Sequence, residues 1–234
     1  MTTLNTYTPL EEEAGADEYL AAHIDPEGDY LYRLYRATNI HTIHGRMASG
    51  HLQGRLLKML VHMIRPKNIL EVGTFSGYSA ICMAEGLGEG GKLYTFEIND
   101  EMEDFTRPWI EGSPVADKID FRIGDAAEEA PKLGILFDMA FVDGDKRTYA
   151  EMYEKLLPII RPGGYILADN TLWDWHVIDP TYDHDHQTIG IRRFNDLIAK
   201  DKRVEKVILP LRDGLTLIRK KPGAFTDSNE YKKR

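Results

Sequence analysis

Apolar positions follow two regimes along this chain. Over the first 65 residues they recur at helical spacing. Asp29 to Ile40 (DYLYRLYRATNI) sets large apolar side chains three and four apart. Ser49 to Ile64 (SGHLQGRLLKMLVHMI) does so more regularly, and its pattern predicts one stripe of Leu52, Leu56, Leu57, Leu60 and Met63. Pro66 ends that helix.

Beyond Pro66 short apolar runs alternate with helical stretches. Strands are expected at Asn68 to Gly73, Lys92 to Ile98, Lys118 to Asp125, Ile135 to Asp145 and Gly163 to Asn170. Helices are expected between them, at Ser76 to Leu87, Glu101 to Glu111, Ala126 to Lys132 and Thr148 to Ile160, with another at Gln187 to Lys200. The runs VEKVILPL and DGLTLIRK close the pattern, with a turn near Asp213 and Gly214. Strand alternating with helix predicts an α/β fold with a doubly wound, mostly parallel sheet. The last two strands have no helix between them and are expected to pair antiparallel at one edge. Three segments follow: N-terminal helices over residues 1–65, a core over 66–221 and a polar tail over 222–234.

Composition narrows the function classes. The chain has 234 residues, 42% hydrophobic and 29% charged, enough for a sizeable core. Its net charge of −9 counts against general attraction to nucleic-acid phosphates. A single cysteine, Cys82, excludes an intramolecular disulfide or a multi-cysteine zinc site. The N-terminus lacks a basic and then apolar leader, and no apolar run approaches the roughly 20 residues of a membrane span. A cytoplasmic location is therefore expected.

The candidate chemistry lies at predicted strand ends, where doubly wound sheets bind ligands. The first strand runs into EVGTFSGYS, whose Gly73 and Gly77 are spaced G-x-x-x-G, unlike the dinucleotide fingerprint. Alone this turn is as consistent with tight strand-to-helix packing as with a ligand. The second strand ends in Glu97, placed to accept from ribose hydroxyls; alone, it reads as a solvated acid near a helix start. The third ends in Gly124, Asp125 and Ala126, where an adenine edge would fall. Together these predict an adenosyl ligand.

Two further strand ends, FVDGDK and ILADN, carry Asp143, Asp169 and Asn170. Three hard oxygen donors suit magnesium, calcium or manganese and disfavour zinc. Either aspartate alone reads as a helix cap; the pair with Asn170 and Lys146 favours a metal. Lys146 becomes a candidate general base if a neighbouring cation lowers its pKa. Trp173 and Trp175 either sandwich an aromatic acceptor or pack a loop onto the sheet. Asp183 to His186 has donors for a soft metal but reads better as an exposed loop, and His41 with His44 reads as a surface or interface pair rather than as ligands.

These segments, with the joint pattern of D-x-D-K and DNTLW, resemble the cation-dependent O-methyltransferases, the group of catechol and caffeoyl-coenzyme A O-methyltransferases. The resemblance runs from about Met47 to Lys220. It implies a seven-stranded, Rossmann-like methyltransferase sheet, S-adenosylmethionine as donor, a divalent cation (usually magnesium), a small catechol-like acceptor and a homodimer. Carried over by position, Glu71, Gly73, Phe75 and Ser79 would line the methionine part of the cofactor. Glu97 would hold the ribose, and Ile98 and Ala126 the adenine side. Asp143 would bind metal beside the cofactor's amino group, Asp169 and Asn170 would complete the ligands, and Lys146 would be the base. Met47 and Ser49 match a segment that closes over the cofactor. There the chain departs from the usual acidic-glycine-glutamine pattern and reads His51-Leu52-Gln53-Gly54.

Three other readings compete. Some bacterial relatives methylate hydroxylated tRNA bases, and Arg33, Arg36, Arg46 and Arg55 are the best local basic patch for that role. A dehydrogenase could use the same kind of sheet but lacks its glycine fingerprint. A non-catalytic module would have no need of the whole cofactor, metal and base set.

Overall fold

The computed structural model describes residues 16–223. Three helices come first: α1 (Ala16–His23), α2 (Gly28–His41) and α3 (Gly50–Ile64). Then strand and helix alternate through β1 (Asn68–Val72), α4 (Tyr78–Gly86), β2 (Lys92–Glu97), α5 (Glu103–Glu111), β3 (Ile119–Ile123), α6 (Ala126–Glu129), β4 (Phe137–Val142), α7 (Tyr149–Leu156) and β5 (Ile160–Ala168). α8 (His186–Lys200), β6 (Val204–Leu209) and β7 (Leu215–Lys220) complete the fold.

The seven strands form one sheet in the order β3-β2-β1-β4-β5-β7-β6. The first five are parallel; β7 inserts antiparallel between β5 and β6. The expected doubly wound, mostly parallel sheet is therefore present, with its antiparallel pair at one edge. β4 is buried along its whole length, as a central parallel strand covered on both faces must be. One core joins β4 and β5 to α7 and α8 through Phe137, Tyr149, Tyr153, Ile191 and Phe194. On the other side Leu31, Leu34, Leu57 and Val61 of the N-terminal helices pack with Ile69, Tyr78 and Ile81.

The predicted elements are recovered with several boundaries moved, the largest at the α7–β5 junction. The helix expected over Thr148 to Ile160 stops at Leu156, and a 3-10 turn over Leu157–Ile159, with Pro158 in it, leads straight into β5. β5 therefore starts at Ile160, ahead of Gly163, with a register shift against β4 between Phe137 and Met139. The predicted stripe on α3 holds at Leu57, which is buried, and at Leu56 and Leu60, which pack against the core, and fails at Met63. Gln53, Gly54, Leu57 and Val61 form its buried face, while Met63 is 72% exposed. Gly54 explains the rotation: a Cβ there would lie 2.7 Å from Cys82 Sγ, so α4 seats against this bare patch of α3. The expected tail lies mostly outside the described residues.

No helix among the described residues is long and apolar enough to cross a membrane.

Candidate active site

Three central strands end side by side. Asp143 N donates to Val72 O and Asp169 N donates to Val142 O, both at 2.9 Å, so the ladder continues one rung past β1, β4 and β5. That rung sets Asp143 beside Asp169. Gly73 stands at φ +89, and a Cβ there would lie 2.0 Å from the Asp143 carbonyl oxygen. Only glycine lets the two strand ends run this close. Above them opens a cleft of about 1180 Å³, large enough for a nucleoside-sized ligand and a second molecule.

Lys146 reaches its place through a short turn. Asp145 accepts from Arg147 N at 3.1 Å and starts a 3-10 turn over Lys146–Thr148, which folds the lysine back on Asp143. Lys146 Nζ lies 2.6 Å from Asp143 Oδ1, 5.2 Å from the centre of the Tyr149 ring and 6.0 Å from that of Trp173. Burial works to lower its pKa, but Asp143 and Tyr149 together overcome this and hold it well above the usual lysine value. In this state Lys146 is an ammonium paired with Asp143.

Asp169 is 5% exposed. Burial, then the charge of Asp143, raises its pKa above the usual carboxylate range, against opposing hydrogen bonds from Gln53 and the Asn170 backbone. Two neighbouring carboxylates sharing one lysine are under-neutralised, which a cation would relieve. Asn170 sits at φ +56, in the left-handed region. Its Nδ2 donates to Asp213 Oδ2 at 2.9 Å. With the amide nitrogen donating to Asp213, Asn170 Oδ1 is left for a ligand. The donor set of Asp143, Asp169 and Asn170 is all hard oxygen and fits a magnesium-like ion. No group of three or more His, Cys, Asp or Glu among the described residues is arranged to hold a metal. This candidate set is two carboxylates and an amide.

The other end of the cleft is lined by Gly73, Phe75, Glu97, Ile98 and Met47. Gly124, Asp125 and Ala126 line it too, with Asp125 capping α6 by accepting from Ala127 N at 2.8 Å. Glu97 accepts from Phe75 N at 2.8 Å and Asn99 N at 2.9 Å, and each oxygen keeps a lone pair for a ligand hydroxyl. Three predicted residues are not in the lining. Ser49 turns its carbonyl to Arg212. Glu71 is fully buried and accepts from Ser79 Oγ at 2.6 Å and Thr95 Oγ1 at 2.5 Å. Burial pushes its carboxyl up to about 8, against those two hydrogen bonds.

Three residues here escaped sequence reading: Gln53, Arg212 and Asp213. Gln53 Nε2 donates to Asp169 Oδ2 at 2.6 Å, and Arg212 Nη1 to Gln53 Oε1 at 2.8 Å. The departure at His51 to Gly54 was the one local signal for Gln53.

Beyond Asn170 the loop is strained. Trp173, Asp174 and Trp175 are consecutive left-handed residues, each costing roughly 1–2 kcal/mol. Asp213 O holds the entry by accepting from Leu172 N at 2.7 Å and Trp173 N at 3.0 Å. Trp173 lines the cleft, and Trp175 does not. Asp185 caps α8 and Asp183 pairs with Arg192, so the Asp183 to His186 run is committed to the loop and helix start. His41 and His44 are exposed, as a surface pair should be, and they also line the cleft. Of the four arginines weighed as a basic patch, Arg55 is tied to Glu85 at 3.0 Å and Arg46 lines the cleft.

The O-methyltransferase family profile fits residues 21–221. The chain belongs to the O-methyltransferase family. Enzymes of this class take their methyl group from S-adenosylmethionine. The O-methyltransferase is 37% identical to tricin synthase 2 of Oryza sativa subsp. japonica, over 91% of this chain and 77% of the relative. It is 38% identical to caffeoyl-CoA O-methyltransferase of Mesembryanthemum crystallinum, over 74% of this chain and 73% of that one. It superposes with a TM-score of 0.80 and 31% identity on an O-methyltransferase of Bacillus cereus solved in complex with SAH, covering 88% and 96% of the two chains.

Proposed function

We propose that this O-methyltransferase moves the methyl of S-adenosylmethionine to one hydroxyl of a catechol-like small molecule, with a divalent cation bound by Asp143, Asp169 and Asn170. The observation that carries the reading is the meeting of these three oxygen donors with Lys146 inside one cleft. When bound, the cation would lower the pKa of the hydroxyls that it touches. The cofactor would lie along Phe75, Glu97 and Ala126, with Glu97 accepting from its ribose hydroxyls.

The protein's own part is holding groups and moving a proton. Asp143 N and Asp169 N are fixed in the ladder, so the carboxylates are set by the sheet rather than by a loop. Asp213 turns the Asn170 amide so that its oxygen faces the cleft. Lys146 is the base. It stays protonated while Asp143 faces it alone, and once that charge is engaged elsewhere, burial favours the neutral amine. Lys146 Nζ would then take the acceptor's hydroxyl proton. The Trp173 ring over Lys146 gives an aromatic acceptor a face to pack on. Holding oxygen and methyl in a reactive pose can contribute up to roughly 7–11 kcal/mol.

Exposed apolar side chains of the N-terminal helices, Tyr32, Ile40, Met59 and Met63, support a homodimer as part of the same proposal. The alternative acceptor, a hydroxylated tRNA base, loses Arg55 from its basic patch.

The deciding measurement is methyl transfer from S-adenosylmethionine to caffeic acid, with magnesium and then with excess EDTA. Transfer that EDTA abolishes is expected. Transfer that survives EDTA would overturn the ion; no transfer, with cofactor binding intact by calorimetry, would overturn the acceptor class.

A further inference from the structure

Arg212 stands in the turn between β6 and β7 at φ +50, a conformation that suits glycine better. What it does there follows from its contacts. The two hydrogens of Nη1 go to two acceptors, the Ser49 carbonyl and Gln53 Oε1, the latter at 2.8 Å. Gln53 is 1% exposed, and its other end donates to Asp169 Oδ2 at 2.6 Å. The Gln53 amide is thus held between a cation that only donates and a carboxylate that accepts. Reversing it would set donor against donor and acceptor against acceptor. The three residues are far apart in the chain and meet only in the fold.

The Ser49 carbonyl gives the same arginine a second hold. Ser49 follows a stretch whose Thr42, Ile43, His44, Arg46 and Met47 line the cleft. That stretch contains only a single 3-10 turn, over Gly45–Met47. One guanidinium nitrogen therefore ties this wall of the cleft to the buried amide that orients Asp169.

We infer that Arg212 is a positioning residue: acting through Gln53 it sets the Asp169 carboxylate, and through Ser49 it straps the 42–49 segment along the cleft. Order at the two ends of the cleft is coupled through one side chain. Second-layer partners of this kind change metal affinity by about 10–100-fold when removed. The ion part rests on the proposed function; the strap does not.

Hydrogen exchange on ligand-free protein and Mn²⁺ titration by electron paramagnetic resonance test it in Arg212→Ala, Gln53→Ala and the double variant. Arg212→Ala is expected to lose protection both over 45–53 and over 168–172, and to weaken Mn²⁺ binding roughly 10-fold or more. The double variant should be no worse than the more affected single, since both substitutions cut one chain of contacts. Exchange that rises over 45–53 alone, unchanged Mn²⁺ affinity in Arg212→Ala, or additive effects would each overturn the inference. If wild-type protein binds no Mn²⁺, the ion reading fails and the exchange pattern alone decides the strap. Should buried Gln53→Ala not fold, Arg212→Ala carries the test, because its side chain is exposed.

Discussion

Lys146 Nζ lies 2.6 Å from Asp143 Oδ1, and that contact decides which of the two can move a proton. While it persists, the lysine is held charged despite its burial. The base role proposed for Lys146 therefore depends on Asp143 being engaged by something else, a condition that the D-x-D-K spacing does not reveal.

Replacing Lys146 with methionine keeps the stem that packs near Tyr149 and Trp173 and removes the amine. Turnover should fall by about 10²–10⁴-fold, the usual contribution of a positioned base. Because the wild-type amine must lose its proton to act, the rate should rise with pH up to the amine's working pKa. Lys146→Met should lack that acid limb. Steady-state kinetics from pH 6 to 10 would measure both, and near-wild-type turnover or an unchanged limb would remove Lys146 from the chemistry.

Asp213 offers a second test, because it chooses which end of the Asn170 amide faces the cleft. In Asp213→Asn the partner can donate as well as accept, and the choice is lost. Mn²⁺ affinity should drop roughly 10-fold, within the range for outer-layer partners. Circular dichroism should remain native, since the Leu172 and Trp173 contacts use the Asp213 backbone carbonyl. Unchanged affinity would mean that Asn170 is not a ligand.

How far the sequence could be read depends on whether a signal is local. The parallel strands were legible because β1, β4 and β5 are short apolar runs bounded by glycine or acid. The acids just beyond their last residues were legible for the same reason, since strand ends are where chain direction and ligand chemistry meet. Gln53 was not, because a glutamine on a helix gives no sign that Asp169, 116 positions later, will accept from it. Arg212 was hidden likewise, its partner Gln53 lying 159 positions away. The α3 stripe found Leu57 but missed Gly54, because periodicity counts methylene-rich side chains, whereas the contact with α4 is built on a residue that has none. Position alone assigns Glu71 and Ser79 to the cofactor; in the fold they bond each other and neither is in the cleft lining.

Gly73 supports a comparison between two glycines. Both Gly73 and Gly134 have positive φ, but a Cβ on Gly134 meets nothing within 4 Å, whereas one on Gly73 meets the Asp143 carbonyl. Gly134→Ala should cost only the backbone strain, on the order of 1 kcal/mol. Gly73→Ala must also part β1 from β4 and should cost about 3 kcal/mol or more. At roughly 2–4 °C per kcal/mol for a chain of this size, thermal melts would separate the two. Equal shifts would show that the strand ends can move apart freely.

Glu71 predicts a pH dependence of stability that owes nothing to the ion. Its carboxyl is raised by burial from 4.5 to about 8, so the folded protein holds a proton that the unfolded chain has released. The sign follows: stability from this group is fully present below about pH 4.5 and is lost as pH rises through about 8. Between those limits the slope approaches one proton, about 1.4 kcal/mol per pH unit at most. Glu71→Gln removes the titration yet can keep the network, because its amide can donate to Thr95 Oγ1, whose hydroxyl can then turn to Thr74 Oγ1 at 2.6 Å. Urea melts of ligand-free protein at pH 5.5, 6.5 and 7.5 should show wild-type stability declining relative to Glu71→Gln across the series. Parallel curves would place Glu71 ionised at neutral pH, with its charge met by Ser79 and Thr95 alone.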